Sequence, residues 1–158
     1  MQTIQILAYG KLKEKYFRDA AAEYEKRLSR YCTFKCIELE PVQLSEKASE
    51  KEIAAALEKE GQQLLKHMKG YTIAMCIEGK LIDSTALSEK IGAVGVSGDS
   101  TITFLIGSSY GLSDGVKRRA DLKLSMSPMT FPHQLARVML YEQIYRSYQI
   151  QSGSKYHK

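Results

Sequence analysis

Residues 101–113 read TITFLIGSSYGLS. Thr101–Ile106 is the most continuous apolar and β-branched run in the chain, and Gly107, Ser108, Ser109, Tyr110 and Gly111 follow it directly. A short apolar run bounded by turn residues predicts a strand buried on both faces, the pattern of a parallel sheet. Such sheets bind ligands beyond the carboxyl ends of their strands, which makes the glycine turn a candidate binding loop. On composition alone Gly107 and Gly111 are equally well explained as plain turn glycines.

Working outward, the chain alternates strand and helix patterns. Residues 3–9 alternate and end at Gly10, which predicts a first strand; residues 34–39 and 71–77 predict two more, the latter closed by a turn at Glu78, Gly79 and Lys80. Helical spacing covers residues 16–28, 48–68 and, with Ser84 as cap, 84–94. Ser113 caps a short basic helix to residue 120, residues 122–125 form a brief last strand, and Pro132 opens a long final helix to residue 150. Strands alternating with helices predict an α/β fold, a mainly parallel sheet with helices on both faces. No linker, repeat or low-complexity stretch interrupts it, so residues 1–158 read as one domain.

Composition excludes several classes. The apolar fraction of 44% and charged fraction of 26% are ordinary for a soluble protein, and no apolar run is long enough to span a bilayer. The start, MQTIQILAYGKLKEKY, has the charge pattern of neither a signal peptide nor an anchor, so a cytoplasmic location without a membrane partner is expected. Cys32, Cys36 and Cys76 make a poor zinc pattern, and His67, His133 and His157 have no paired ligand spacing, so no metal is expected. The P-loop, the GxGxxG turn after the first strand and the GxSxG elbow are all missing, which removes kinase, dehydrogenase and hydrolase readings. The net charge of +5 favours a polyanionic partner. Basic clusters in residues 11–30 and 115–123 flank an acidic middle.

A second loop narrows the ligand. Residues 122–137, LKLSMSPMTFPHQLAR, place small polar and thioether residues just before a helix start. Such a loop offers backbone donors and a soft apolar wall, better suited to an adenosine with an aliphatic, sulfur-bearing tail than to a triphosphate.

The segments LAYGKLKEKY, IEGK, FLIGSSYGLS, KLSMSPMTFPHQLARVMLYEQIYRSY and the terminal YHK together resemble the small SPOUT-class methyltransferases that modify a pseudouridine of large-subunit ribosomal RNA. The likeness covers nearly the whole chain. It implies a C-terminal trefoil knot (the α/β-knot fold), bound S-adenosylmethionine, a homodimer whose sites borrow residues from the partner, and methylation at the imide nitrogen, N3, on the assembled ribosome. By position it assigns cofactor binding to Met75, Gly107, Leu124, Ser125, Met126, Ser127, Pro128, Met129, Thr130 and Phe131. For the chemistry, the side chains themselves offer Arg146 to steady the imide oxygens or a phosphate, Tyr156 to hydrogen-bond or stack on a base, and His157, which titrates in the useful range. The plain alternatives are an Arg146–Glu142 ion pair at i, i+4 and a terminal tail without a role. This chain departs from the family pattern at Ser108, where a second glycine is usual, and at Lys155, where proline is common.

Phosphate contacts are expected from Arg18, Lys26, Arg27, Arg30, Lys117, Arg118 and Arg119. The final helix carries Leu135, Val138, Met139, Tyr145 and Tyr148 on one side and Leu140, Tyr141 and Ile144 on another. That is more apolar surface than one packed face needs; a second subunit and a helix buried all round within one subunit explain it equally well. Two rival readings stay open: a non-catalytic ribosome-binding protein, and a SPOUT enzyme acting on tRNA.

Overall fold

The structure is a computed structural model and describes residues 1–98 and 100–158. Five strands form one sheet: β1 (Thr3–Tyr9), β2 (Thr33–Leu39), β3 (Tyr71–Leu81), β4 (Thr101–Ile106) and β5 (Leu122–Ser125). Their order is β2-β1-β4-β3-β5, and every neighbouring pair is parallel. The helices are α1 (Lys15–Leu28), α2 (Glu50–His67), α3 (Ser84–Val96), α4 (Asp114–Arg119) and α5 (His133–Gln151).

Strand alternation divides the core between the two sheet faces. Ile4, Ile6, Ala8, Ile73, Ile102 and Phe104 pack with residues of α1, α3 and α5. Leu7, Tyr9, Ala74 and Leu105 face the other way, onto Leu64 of α2 and Val116 of α4. Phe104 is fully buried and Tyr141 of α5 nearly so; burying a large aromatic of this kind contributes about 2–3 kcal/mol. Two polar side chains lie on the α2 face. Gln5 donates to the His67 carbonyl at 2.8 Å, and Thr103 donates to that of Lys69 at 2.7 Å, so both anchor the end of α2 to the sheet.

Local signals explain most boundaries. Ser49 and Glu52 form a reciprocal capping box at the start of α2, and Ser113 caps α4 by accepting from the Val116 amide. Two expectations need correction. Glu78, Gly79 and Lys80 do not form a turn: β3 runs through them to Leu81, with a register shift against β5 between Met75 and Lys80. Gly79 permits this because a Cβ there would lie 2.7 Å from the Leu124 backbone nitrogen and carbonyl carbon. The cap of α3 is Asp83, which accepts from the Ala86 amide, whereas Ser84 donates to Gln143 of α5 at 2.7 Å.

Candidate cofactor cavity and tail cluster

The middle of β3 at residues 75–78, where its register against β5 shifts, and the carboxyl ends of β4 and β5 converge on a cavity of about 550 Å3. That volume lies within the ~300–1,000 Å3 of ordinary small-molecule sites. Met75, Gly107, Leu124, Ser125, Met126, Ser127, Met129, Thr130 and Phe131 all line it; of the residues assigned to cofactor binding only Pro128 does not. Ile106 and the three thioethers supply an apolar wall, and Glu78, Ser108, Ser109 and Lys117 supply polar groups. Lys117 of α4 pairs with Glu78 of β3 across the lining. The ammonium holds the Glu78 carboxyl below its usual range, and the carboxylate holds the Lys117 ammonium above its own.

The glycine turn is tight. Gly111 has φ +86°, its amide donates to the Ser108 carbonyl at 2.8 Å, and a Cβ on Gly107 would overlap the Gly111 carbonyl. Gly107 is therefore fixed by close backbone approach and Gly111 by conformation. No described residue other than glycine has positive φ, so Ser108 sits in the turn without backbone strain. Its hydroxyl donates to Glu60 of α2 at 2.7 Å. The loop before α5 is braced internally: Ser125 Oγ donates to the Ser127 carbonyl and the Met129 amide to Ser127 Oγ. His133, at the cavity edge, has its pKa lowered by burial and then by the nearby Arg137 and Lys13 charges, which favours the neutral ring.

Arg146, Tyr156 and His157 come together, but not at this cavity. The Arg146 guanidinium donates to Glu142 Oε1 at 2.9 and 2.6 Å and to His157 Nδ1 at 3.2 Å, and it lies 4.8 Å over the Tyr156 ring. A guanidinium only donates, so Nδ1 is the acceptor nitrogen of His157. Tyr156 donates its hydroxyl to Glu142 at 3.2 Å, and its ring meets Tyr145 edge-on at 5.1 Å. Burial first and then the Glu142 charge push the Tyr156 pKa up to about 12, so the hydroxyl keeps its proton. Glu142 opens onto a second cavity of about 490 Å3, lined also by Tyr24, Leu87, Met139 and Gln143. This cavity shares Met75, Leu124, Ser125 and Met126 with the first.

The basic residues divide. Arg18 is spent locally, donating to the Leu12 and Lys13 carbonyls. Arg27 pairs with Glu23 and lies 5.6 Å from the Tyr24 and Tyr145 ring centres, and Lys117 holds Glu78. Lys26 and Arg30 on the α1 side and Arg118 and Arg119 on α4 are exposed. Because α1 and α4 cover opposite sheet faces, one subunit does not join the two clusters into a single patch.

Sequence reading missed the roles of Arg137 and Glu60, and saw Glu142 only as an ion-pair partner of Arg146. Arg137, only 3% exposed, donates to Glu38 at 2.7 Å and to the Gly10 carbonyl at 2.8 Å, locking the start of α5 to β1 and β2. Glu142 gathers the tail. Glu60, 4% exposed, holds the glycine turn. The i, i+4 spacing of Glu142 and Arg146 signalled that pair; nothing local signalled the long-range partners of Arg137 and Glu60.

Fold and cavity define an α/β protein with a cavity of small-molecule size beside the carboxyl ends of β4 and β5. Residues 1–157 match the family described as "Predicted SPOUT methyltransferase", and the chain belongs to this family. It is 50% identical over 157 residues to the "Ribosomal RNA large subunit methyltransferase H" of Clostridium acetobutylicum, covering 98% of this chain and 99% of that one. The protein of that name from Oenococcus oeni is 49% identical over 160 residues, with full coverage of both. A solved structure, that of a probable methylase family protein from Haemophilus influenzae Rd KW20, superposes with a TM-score of 0.51 at 11% identity. It covers 95% of this chain and 66% of the other, and supports the fold alone.

Proposed function

We propose that this chain uses S-adenosylmethionine to methylate N3 of a pseudouridine in large-subunit ribosomal RNA, acting on the assembled ribosome in the cytoplasm. The observation that carries the reading is the convergence of three chain segments, at Met75, at Gly107 and at residues 124–131, on one cavity with a thioether-rich wall. The size and mixed lining fit a nucleoside with an aliphatic sulfur-bearing tail, which these segments would hold through backbone groups and the three methionines. The names of the full-length relatives support ribosomal RNA as substrate. Threading of the C-terminal part of the chain into a trefoil knot, within a single domain, belongs to this proposal.

When bound, the cofactor supplies a methyl group on a sulfonium, which needs only in-line approach by a nucleophile with a free lone pair. The imide N3–H bond breaks and its proton goes to His157 Nδ1, whose single lone pair Arg146 gives up as its guanidinium turns to the imide oxygens. Tyr156, protonated throughout the working range, donates a hydrogen bond instead of acting as base. Arg146 stabilises negative charge developing on the imide oxygens. Glu142 fixes both Arg146 and Tyr156.

None of these three side chains lines the cofactor cavity of its own chain. This favours a homodimer in which the tail cluster of one subunit completes the cavity of the other. Half-buried Leu135, Met139 and Tyr145 on α5 and the second cavity offer the contact surface. Mass spectrometry of ribosomal RNA nucleosides from cells with and without the protein tests the reading. A methylpseudouridine present only with the protein supports it. An unchanged large-subunit profile with a lost tRNA methylation would favour the tRNA reading, and stoichiometric ribosome binding with no nucleoside change a non-catalytic binder.

A further inference from the structure

Between the turn that lines the cavity and the body of the protein stands one buried carboxylate. Glu60 lies in the middle of α2, outside every sequence segment assigned to cofactor or RNA, yet it is 4% exposed. Its Oε1 accepts from Ser108 Oγ at 2.7 Å and its Oε2 accepts from the Val42 amide at 2.9 Å. Its own carbonyl accepts from the Tyr9 hydroxyl at 2.8 Å, which ties it to the end of β1. The next residue, Gly61, presses on the far end of the same turn: a Cβ there would lie 2.8 Å from Ser113 Oγ and 3.1 Å from Val116 Cγ2. A glycine inside a helix costs about 1 kcal/mol relative to alanine, so this close approach answers for its presence.

We propose that Glu60 is a positioning residue for the cofactor, gripping the 107–111 turn through the Ser108 hydroxyl while Gly61 seats its exit at Ser113. Ser108 and Ser109 both line the cavity, but among the described residues only Ser108 links the turn to α2 by a side-chain hydrogen bond. A hydrogen bond from a hydroxyl to a buried carboxylate is among the stronger kinds. The remaining backbone of the turn is held by its own Ser108–Gly111 bridge, which fixes its shape but not its place over the cavity. Ile106 and Leu112 anchor the two ends of the turn in the sheet and core, and Glu60 holds the segment between them. The cofactor part of this inference rests on the proposed function; the placement of the turn does not.

Two measurements separate these. Calorimetric titration with S-adenosylhomocysteine should show Ser108→Ala binding about tenfold more weakly than wild type. Glu60→Ala should weaken binding similarly, and the Glu60→Ala/Ser108→Ala pair should be no weaker than Glu60→Ala alone, because the shared link is already gone. Glu60→Gln, which keeps an acceptor for the Val42 amide and a partner for the hydroxyl, should restore most of the affinity. In turnover on ribosomal particles the cofactor KM should rise while the particle KM stays unchanged. Amide hydrogen exchange across residues 107–111, read without ligand, should be about tenfold faster in Ser108→Ala. Unchanged exchange in Ser108→Ala, affinity in Glu60→Gln as weak as in Ser108→Ala, or additive losses in the pair, overturns the positioning role. Faster exchange in Ser108→Ala with no nucleoside binding by wild type instead overturns the functional reading and leaves the positioning role standing. If Glu60→Ala does not fold, the Ser108→Ala and Glu60→Gln arms decide.

Discussion

Arg146 takes part in an ion pair, a contact to a histidine nitrogen and a stack on a tyrosine ring at once. A structural ion pair alone would need only Glu142. Arg146→Ala is expected to leave S-adenosylhomocysteine binding intact, since Arg146 does not line the proposed cofactor cavity, and to lower methylation at least about a hundredfold, as loss of the proposed transition-state donor would. Calorimetry beside a turnover assay checks this. Tyr156 gives a pH signature. Its folded hydroxyl ionises at about 12 instead of its ordinary 10.0, so its contribution to tail docking is whole below pH 10 and fades as the pH rises through 12. Protease sensitivity of the tail, followed from neutral pH upward, should increase in that window for wild type, while Tyr156→Phe should show no such step.

Strands and helices carry the next set of expectations. The passage of β3 against β5 depends on Gly79, where a Cβ would meet backbone and not the end of a flexible side chain. Gly79→Ala should cost about 3 kcal/mol by overpacking, seen as a lower denaturant midpoint. It should also weaken nucleoside binding, because Leu124 is a cavity wall. On α4, Arg118 and Arg119 are exposed while Lys117 is held by Glu78. Replacing both arginines with alanine should weaken binding to ribosomal particles and reduce the slope of log affinity against log salt by about 1.5–2. Replacing Arg18, whose guanidinium closes its own loop, should change that slope little. Elements of this kind were legible wherever pattern and boundary agreed: β4 and its glycine turn, the Ser113 cap, the strand at residues 122–125 and the α5 start at Pro132. The turn expected at Glu78, Gly79 and Lys80 failed because glycine beside charged residues is a turn signal, while the reason for Gly79 is a neighbouring strand 44 or more residues later in the chain, at Lys123 and Leu124. Arg137 and Glu60 were unreadable for the same reason. Their partners at Glu38 and Gly10, and at Ser108, are distant in sequence, and no local period announces a buried charge.

For the whole molecule, the separation of tail cluster from cofactor cavity is the deciding feature. If a second copy completes each site, sedimentation should show a concentration-dependent shift to a dimer. Mixing Arg146→Ala subunits with subunits carrying the Gly79→Ala cavity lesion should then restore part of the methylation that neither has alone. A concentration-independent monomer with full turnover would remove the shared site. The sheet carries a different consequence. β1 lies between β2 and β4, with Ile4 opposite Phe34 on one side and Ile102 on the other, and the Tyr148 hydroxyl donates to Gln2 across 146 positions of sequence. Parallel pairings this remote close late, because the loop entropy must be met before the contacts form. During synthesis the first hundred residues therefore emerge with one flank of β1 unpaired. That nascent stretch has to be shielded from other open strands until β4 has also left the ribosome.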